Sequence, residues 1–252
     1  MTVRRKSERF RLLVDKLLIF CPICFVLVSC QDVDSVESHL RNDNPHWVCE
    51  KDSYSLLYKN NEWNLYIKGP NLKNLSALKH NDFSIVVLDN IEVKDLAFLA
   101  NSTKLKQLII QNAPGLTDIS ALRGKSLKKF YLYNTGVENF DAVYDAPLCH
   151  LLLPGSKISD LSKFSNLKKL TYLDLSDCSN IHTIDSLKDC NHLKKIDLSG
   201  TSVNDVSPLY GKEFDYFEID NIPIASKGIP VNITLKKTEE KMKEIVEIGG
   251  NR

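Results

Sequence analysis

A nine-residue frame returns eight times at steps of 21 to 23 residues, and no other feature limits the fold of this chain so tightly. The clearest copies are residues 170–178 (LTYLDLSDC) and 193–201 (LKKIDLSGT); the frame also fits 62–70, 83–91, 105–113, 127–135, 148–156 and 214–222. Its fourth position reads Leu65, Val86, Leu108, Phe130, Leu151, Leu173, Ile196 and Phe217, and its sixth Ile67, Leu88, Ile110, Leu132, Leu153, Leu175, Leu198 and Ile219. All are apolar. Two apolar positions separated by one residue are the inward half of a short strand, whose side chains alternate between faces. A second apolar pattern follows six of the strands at steps of three, as in Leu72/Leu75/Leu78, Leu116/Ile119/Leu122 and Ile181/Ile184/Leu187. Three residues per turn keep one face inward, so this spacing predicts 3₁₀ or irregular returns rather than full α-helices. One such unit cannot bury its own apolar face, so the coils must stack into a shared core.

Position eight reads Gly69, Asn90, Asn112, Asn134, Gly155, Asp177, Gly200 and Asn221. These three residue types tolerate left-handed backbone or close a turn with their own side chain. A corner of that geometry is therefore expected after every strand. The frame and the downstream segments I158-S-D-L-S-K-F164, V203-N-D-V-S-P-L209 and V93-K-D-L-A-F-L99 resemble the short-repeat class of the leucine-rich repeat family, in its internalin-like bacterial form. The resemblance runs from residue 62 to about 222. It implies an α/β solenoid, a horseshoe or arc with a concave parallel β-sheet and a mostly 3₁₀ or irregular convex side. The family often places Asn at position nine to tie neighbouring coils, whereas this chain has Pro70, Ile91, Ala113, Thr135, Ser156, Cys178, Thr201 and Ile222. Less regular first coils, or a frame slip of one residue there, are expected from that departure.

Ahead of the repeats, six basic side chains stand among the first sixteen residues, followed by about a dozen apolar residues from Leu17 to Val28. That run is too short to span a bilayer and has the length of an export signal's apolar region. L27-V-S-C30 resembles the bacterial lipoprotein box, which implies cleavage before Cys30 and lipid on its sulfur and amine. Each buried CH₂ adds about 0.8 kcal/mol of membrane affinity, and several chains together anchor firmly. The resulting organisation is a signal peptide (1–29), a polar tether (30–45), an N-terminal cap (46–61), a repeat domain (62–227) and a C-terminal cap with a short helix (228–252). Gln31 follows Cys30 where the inner-membrane retention residue of enteric sorting would be Asp, so an envelope location at the outer membrane is favoured over the inner. Without residues 1–16 the chain carries 27 basic and 30 acidic side chains, which argues against a nucleic-acid surface. Of the cysteines outside the signal, Cys49, Cys149, Cys178 and Cys190 have no metal-ligand spacing; isolated thiols fit them better than a disulfide framework, and no pairing follows from their order.

Strand positions three, five and seven point to the concave face. The middle column runs Tyr66, Val87, Ile109, Tyr131, Leu152, then Asp174, Asp197 and Glu218, changing from apolar and aromatic to acidic. A contiguous exposed stripe of this kind marks a contact site, and tyrosines supply rigid apolar area with a polar tip. With Tyr133, His150, Tyr172 and Tyr216 from the flanking columns, these residues are the candidate contacts for a protein partner; a glycan on the tyrosines and carboxylates is the rival. Enzyme signatures are missing: the sequence has no G-x-S-x-G, phosphate loop or H-E-x-x-H. Cys149 and His150 lie at positions two and three, so their groups should diverge. No catalytic residue, cofactor or metal site is expected.

Overall fold

The computed structural model describes residues 40, 42–43, 54–59, 62–223 and 234–235, all within one compact unit. The export signal, Cys30 and the C-terminal helix expected over 238–248 lie outside the described residues. Nine strands form one sheet in sequential order: β1 (Tyr54–Lys59), β2 (Glu62–Lys68), β3 (Phe83–Asp89), β4 (Gln107–Ala113), β5 (Lys129–Thr135), β6 (His150–Leu152), β7 (Tyr172–Asp174), β8 (Lys195–Asp197) and β10 (Tyr216–Glu218). From β2 onward every pairing is parallel, and each strand lies beside the next coil's copy of itself, as Leu151↔Leu173↔Ile196↔Phe217 shows. The exception is β1, inside the expected N-terminal cap, which pairs antiparallel with β2 of the first coil as a hairpin. A second, two-stranded pairing joins β9 (Glu213–Phe214) to β11 (Thr234–Leu235) within the expected C-terminal cap segment.

All sixteen residues at positions four and six are at most 7% exposed, which fixes the register without ambiguity. Fully burying one Leu, Ile or Phe stabilises by roughly 1.5–3 kcal/mol, so this double column supplies the chief driving force for stacking. On the opposite side, among the described residues, the chain returns through six short 3₁₀ turns, Ser76–Leu78, Ala97–Leu99, Ser120–Leu122, Ser162–Asn166, Asp185–Asp189 and Ser207–Leu209. The Asp of the downstream motif starts several of them: Asp95, Asp118, Asp160 and Asp205 each accept the backbone N–H two residues on, at 2.7–2.9 Å. Between β5 and β6 the return has no 3₁₀ turn; Val137, Phe140, Val143 and Tyr144 fill that coil instead.

The corner expectation holds at every coil. Each of the eight position-eight residues has positive φ, from 51° at Asn134 to 73° at Gly200, with Gly69 at 141°. There the N–H turns toward the next coil: Asn90 N donates to Gln111 O at 3.0 Å, Asp177 N to Ser199 O at 2.7 Å and Gly200 N to Asp220 O at 2.8 Å.

Two expectations are corrected. By strand length the first coils are not the less regular ones, since β2, β3, β4 and β5 are seven residues long whereas β6, β7 and β8 have three; the alternative expected there, a slip, is found as a register shift between Trp63 and Asn64. Ile91 and Ala113 pack into the core at position nine. The tie between those coils comes from position eight, where Asn112 Nδ2 donates to Asp89 Oδ1 and Asn134 Nδ2 to Asn112 Oδ1. Farther on, Cys178 takes the tying role at position nine, its Sγ lying 3.1 Å from Leu153 O and 3.4 Å from Ser156 Oγ. The second correction concerns the polar tether. Leu40 is fully buried in the repeat core, its neighbours Asn42 and Asp43 are helical, and Ser76 Oγ donates to Asp43. At least this one residue of the expected tether is thus packed with the repeats.

Candidate binding face

Parallel pairing places the middle column side by side: Val87 beside Ile109, Ile109 beside Tyr131, Tyr131 beside Leu152, and Leu152 beside Asp174. Adjacent members therefore sit on backbones about 4.8 Å apart across the sheet. Val87, Ile109, Tyr131 and Leu152 stand apart from the leucine cluster of the interior, on the other face of the sheet. Their environment differs from the open stripe expected, because they are 8%, 2%, 5% and 0% exposed. Tyr66, at the start of the column, and the flanking Tyr133 and Tyr172 are half-buried.

The acidic half needs the same correction. Asp174 and Asp197 are each 9% exposed rather than solvated. Both carboxylates turn back along their own strand: Asp174 Oδ1 accepts from Ser176 N at 2.9 Å and Ser176 Oγ at 2.7 Å, and Asp197 Oδ1 accepts from Ser199 N at 2.9 Å. The signal was present in the sequence as Asp-Leu-Ser at 174–176 and 197–199, the spacing at which Asp160 and Asp205 bind Ser162 and Ser207 on the convex side. An Asp two residues before a Ser makes this local bond readily. At the end of the column, Glu218 accepts from the phenol of Tyr216 at 3.4 Å.

Between the two halves lies a cluster that column counting did not anticipate. Tyr131 Oη and His150 Nδ1 are 2.9 Å apart, with the two rings parallel to within 7° and 6.3 Å between centroids. Tyr172 meets the other side of the imidazole edge-on at 5.8 Å. Burial, together with the charges of Lys129 and Lys195, pushes His150 down to about 4, so the ring is neutral at pH 7. Burial raises the phenols of Tyr131 and Tyr172 and lowers the ammonium of Lys129. The signal that would have found this cluster is the diagonal between positions five and three of successive coils, which brings Tyr131 toward His150.

Chemistry of the bond-making kind is not assembled at this face. His150 is engaged with Tyr131, while the Cys149 thiol points to Pro147 O at 3.8 Å, so the two do not form a dyad. Cys149, Cys178 and Cys190 are free thiols. Burial pushes Cys178 up to about 11, which leaves it protonated and inert. Among the described residues no three His, Cys, Asp or Glu side chains converge on a metal position, and no helix is long and apolar enough to cross a membrane.

No known family profile matches the chain, and no curated protein matches it. Solved structures do. An internalin C2 from Listeria monocytogenes is 24% identical with a TM-score of 0.51, the alignment covering 70% of this chain and 72% of that one. A second internalin from the same organism is 17% identical with a TM-score of 0.40, over 63% of this chain and 61% of the other. The likeness to internalin C2 establishes the leucine-rich repeat fold, in agreement with the sequential parallel sheet and the 3₁₀ returns.

Proposed function

We propose that this chain is a lipid-anchored cell-envelope protein that binds a protein partner through the concave face of its repeats. The observation that carries the reading is the row Val87, Ile109, Tyr131 and Leu152: four adjacent strands present apolar side chains on the sheet face opposite the leucine core. A solenoid needs only one apolar face to hold its coils together. The second apolar row is itself withdrawn from water, so what it supports for a partner is the rim of half-buried rings around it, Tyr66, Tyr133 and Tyr172. The crystal structure that the fold matches is that of a bacterial internalin, which supports reading this as the same kind of scaffold. The proposal assigns the protein no catalytic step, cofactor or nucleic-acid partner.

The partner-contacting residues are Tyr66, Tyr133, His150 and Tyr172, backed by the buried Val87, Ile109, Tyr131 and Leu152, with Asp174, Asp197, Tyr216 and Glu218 orienting the complex from the acidic end. Aromatic residues near the centre carry most of the affinity of an interface, and rim charges act more on orientation and association rate. The test starts from a partner identified by screening the full chain against cell-surface proteins, and measures association and dissociation for Tyr131→Ala and Asp197→Ala. Tyr131→Ala should weaken binding by more than about 1 kcal/mol, whereas Asp197→Ala should chiefly slow association. Wild-type kinetics in both variants would place the function elsewhere on the molecule. A glycan is the second reading, favoured by the Tyr131–His150–Tyr172 ring cluster beside the Asp174 carboxylate. It predicts saturable binding on a sugar array that Tyr172→Ala and Asp174→Ala both abolish.

The anchor in this reading is lipid on Cys30 after removal of residues 1–29, with the outer membrane favoured. Replacing Cys30 by Ala in a bacterial host should leave uncleaved precursor without palmitate label. Normal labelling of that variant would remove the anchor from the proposal.

A further inference from the structure

At the junction of the apolar and acidic halves, Lys129 and His150 occupy the same position of neighbouring coils and are Cα partners across β5 and β6. Both are partly exposed, unlike Leu152 and Ile109 next to them. The ammonium of Lys129 makes no ion pair or hydrogen bond among the described residues. This is unusual for a half-buried lysine here: Lys125 and Lys212, also partly buried, both bond backbone carbonyls of the preceding coil. In the imidazole, Nδ1 faces the phenol of Tyr131. A phenol is the better donor and an unprotonated ring nitrogen the better acceptor, so the bond runs from Oη–H to Nδ1 and leaves the ring proton on Nε2. The face therefore offers one unpaired cation and one N–H donor on adjacent strands. Around them stand Tyr131 and Tyr172, the cation of Lys195, and the carboxylate of Asp174, which is already committed to Ser176.

We propose that Lys129 and His150 form a cradle for one carboxylate of the protein partner, an Asp or Glu side chain. The inference rests on the protein-binding reading above and supplies the charge that its recognised segment must carry. A monoanion matches a single unpaired ammonium, and charge-assisted hydrogen bonds of this kind are about twice as strong as neutral ones. Ile109 and Leu152 are 2% and 0% exposed, so the occupant is held by its carboxylate and not by an apolar floor.

The test uses the full chain with three probes: the blocked peptide Leu-Glu-Leu, its Leu-Gln-Leu counterpart, and a hyaluronan tetrasaccharide. Binding is followed at pH 6 by the ring-proton resonances of His150, assigned by their loss in His150→Phe. The Glu peptide should bind about tenfold more tightly than the Gln peptide, as expected for one hydrogen-bonded ion pair. It should also move the His150 titration upward, since an anion at the ring favours imidazolium. Lys129→Met should abolish the preference and Lys129→Arg should restore most of it. Equal binding of the two peptides, or a preference that survives Lys129→Met, overturns the cradle. Binding of the tetrasaccharide without the Glu peptide overturns it as well, in favour of an acidic glycan. The two levels of the reading fail separately. If partner binding is lost in Tyr131→Ala but unchanged in Lys129→Met, the cradle alone is wrong; if the Glu preference is present but Tyr131→Ala binds partner normally, the wider reading of the face is wrong.

Discussion

Gly200 and Gly155 occupy the same corner of different coils, yet the structure predicts different consequences for the same substitution. Both have φ near 70°, 73° at Gly200 and 67° at Gly155. An alanine at either site adopts a backbone conformation that costs an L-residue roughly 1–2 kcal/mol. A stiffer unfolded chain offsets about 0.4–1 kcal/mol of that, leaving about 1 kcal/mol for Gly155→Ala. Nothing lies within 4 Å of a β-carbon at Gly155, so no packing penalty is added there. At Gly200 the β-carbon would stand 2.5 Å from Asp177 Oδ1 and 3.3 Å from Asp177 Cα. The carboxylate can swing aside; the Cα cannot follow easily, because Asp177 N is bonded to Ser199 O at 2.7 Å, one residue before the substituted site. Gly200→Ala should therefore cost about 2–3 kcal/mol, as overpacking against fixed backbone does. The gap of about 1–2 kcal/mol corresponds to about 2–8 °C in Tm for a domain of this size. Urea unfolding followed by circular dichroism, with unchanged slope in all variants, gives the comparison directly. Gly155→Asn is the control and should be close to wild type, because Asn holds this corner at Asn90, Asn112, Asn134 and Asn221 with φ of 51–58°. Equal losses for the two alanine variants would refute the packing argument, and a costly Gly155→Asn would refute the left-handed corner as the reason for the residue choice.

Two further predictions concern stability. His150 has a folded pKa of about 4, below the ordinary 6.5, so the unfolded chain takes up its proton first as the pH falls. Its contribution is fully present above pH 6.5, declines between about 6.5 and 4, and amounts to something on the order of 3 kcal/mol; urea midpoints at pH 7 and pH 4.5 should show a smaller difference in His150→Phe than in wild type, and an identical difference would exclude a neutral buried imidazole. In the central coils, Leu173→Ala or Leu175→Ala should cost about 2–5 kcal/mol, and Asp174→Ala about 1–3 kcal/mol because Ser176 N loses its buried acceptor; an Asp174 variant as stable as wild type would contradict the folded-back carboxylate.

What the sequence disclosed about the fold is what each coil must do for itself. Leu173 and Leu175 face inward because a strand alternates, and Asn112 or Gly155 turns the corner because few residues accept positive φ; both rules act within a few residues and so can be read from one coil and checked against seven others. The 3₁₀ returns belong to the same class, since the step of three in Leu116/Ile119/Leu122 is itself the period of the element. Leu40 escaped that reasoning because a single apolar residue has no period. The length of the first strands escaped it because that depends on side chains of the next coil, such as Asn112 reaching Asp89.

The candidate face was legible as a column of residue types but not as an environment. Solvent exposure at Ile109 or Leu152 is a property of everything that surrounds the sheet, whereas the frame reports only which way a side chain points. Chemistry was harder still to read, because charge at a surface is decided by the nearest competing donor. Asp174 and Asp197 count as an acidic patch by position, yet each is taken first by the serine two residues on, which leaves fewer acceptor positions open than the column suggests. Lys129 illustrates the converse. Its counterpart on β8, Lys195, holds the same frame position one strand beyond Tyr172; what Lys129 has beside it is a strand where His150 has its Nδ1 occupied by Tyr131 and is held neutral. A charged residue in a repeat protein thus acquires its function from the coil next to it, and the pair of coils, rather than the single frame, is the smallest unit in which the recognition chemistry of this face can be read.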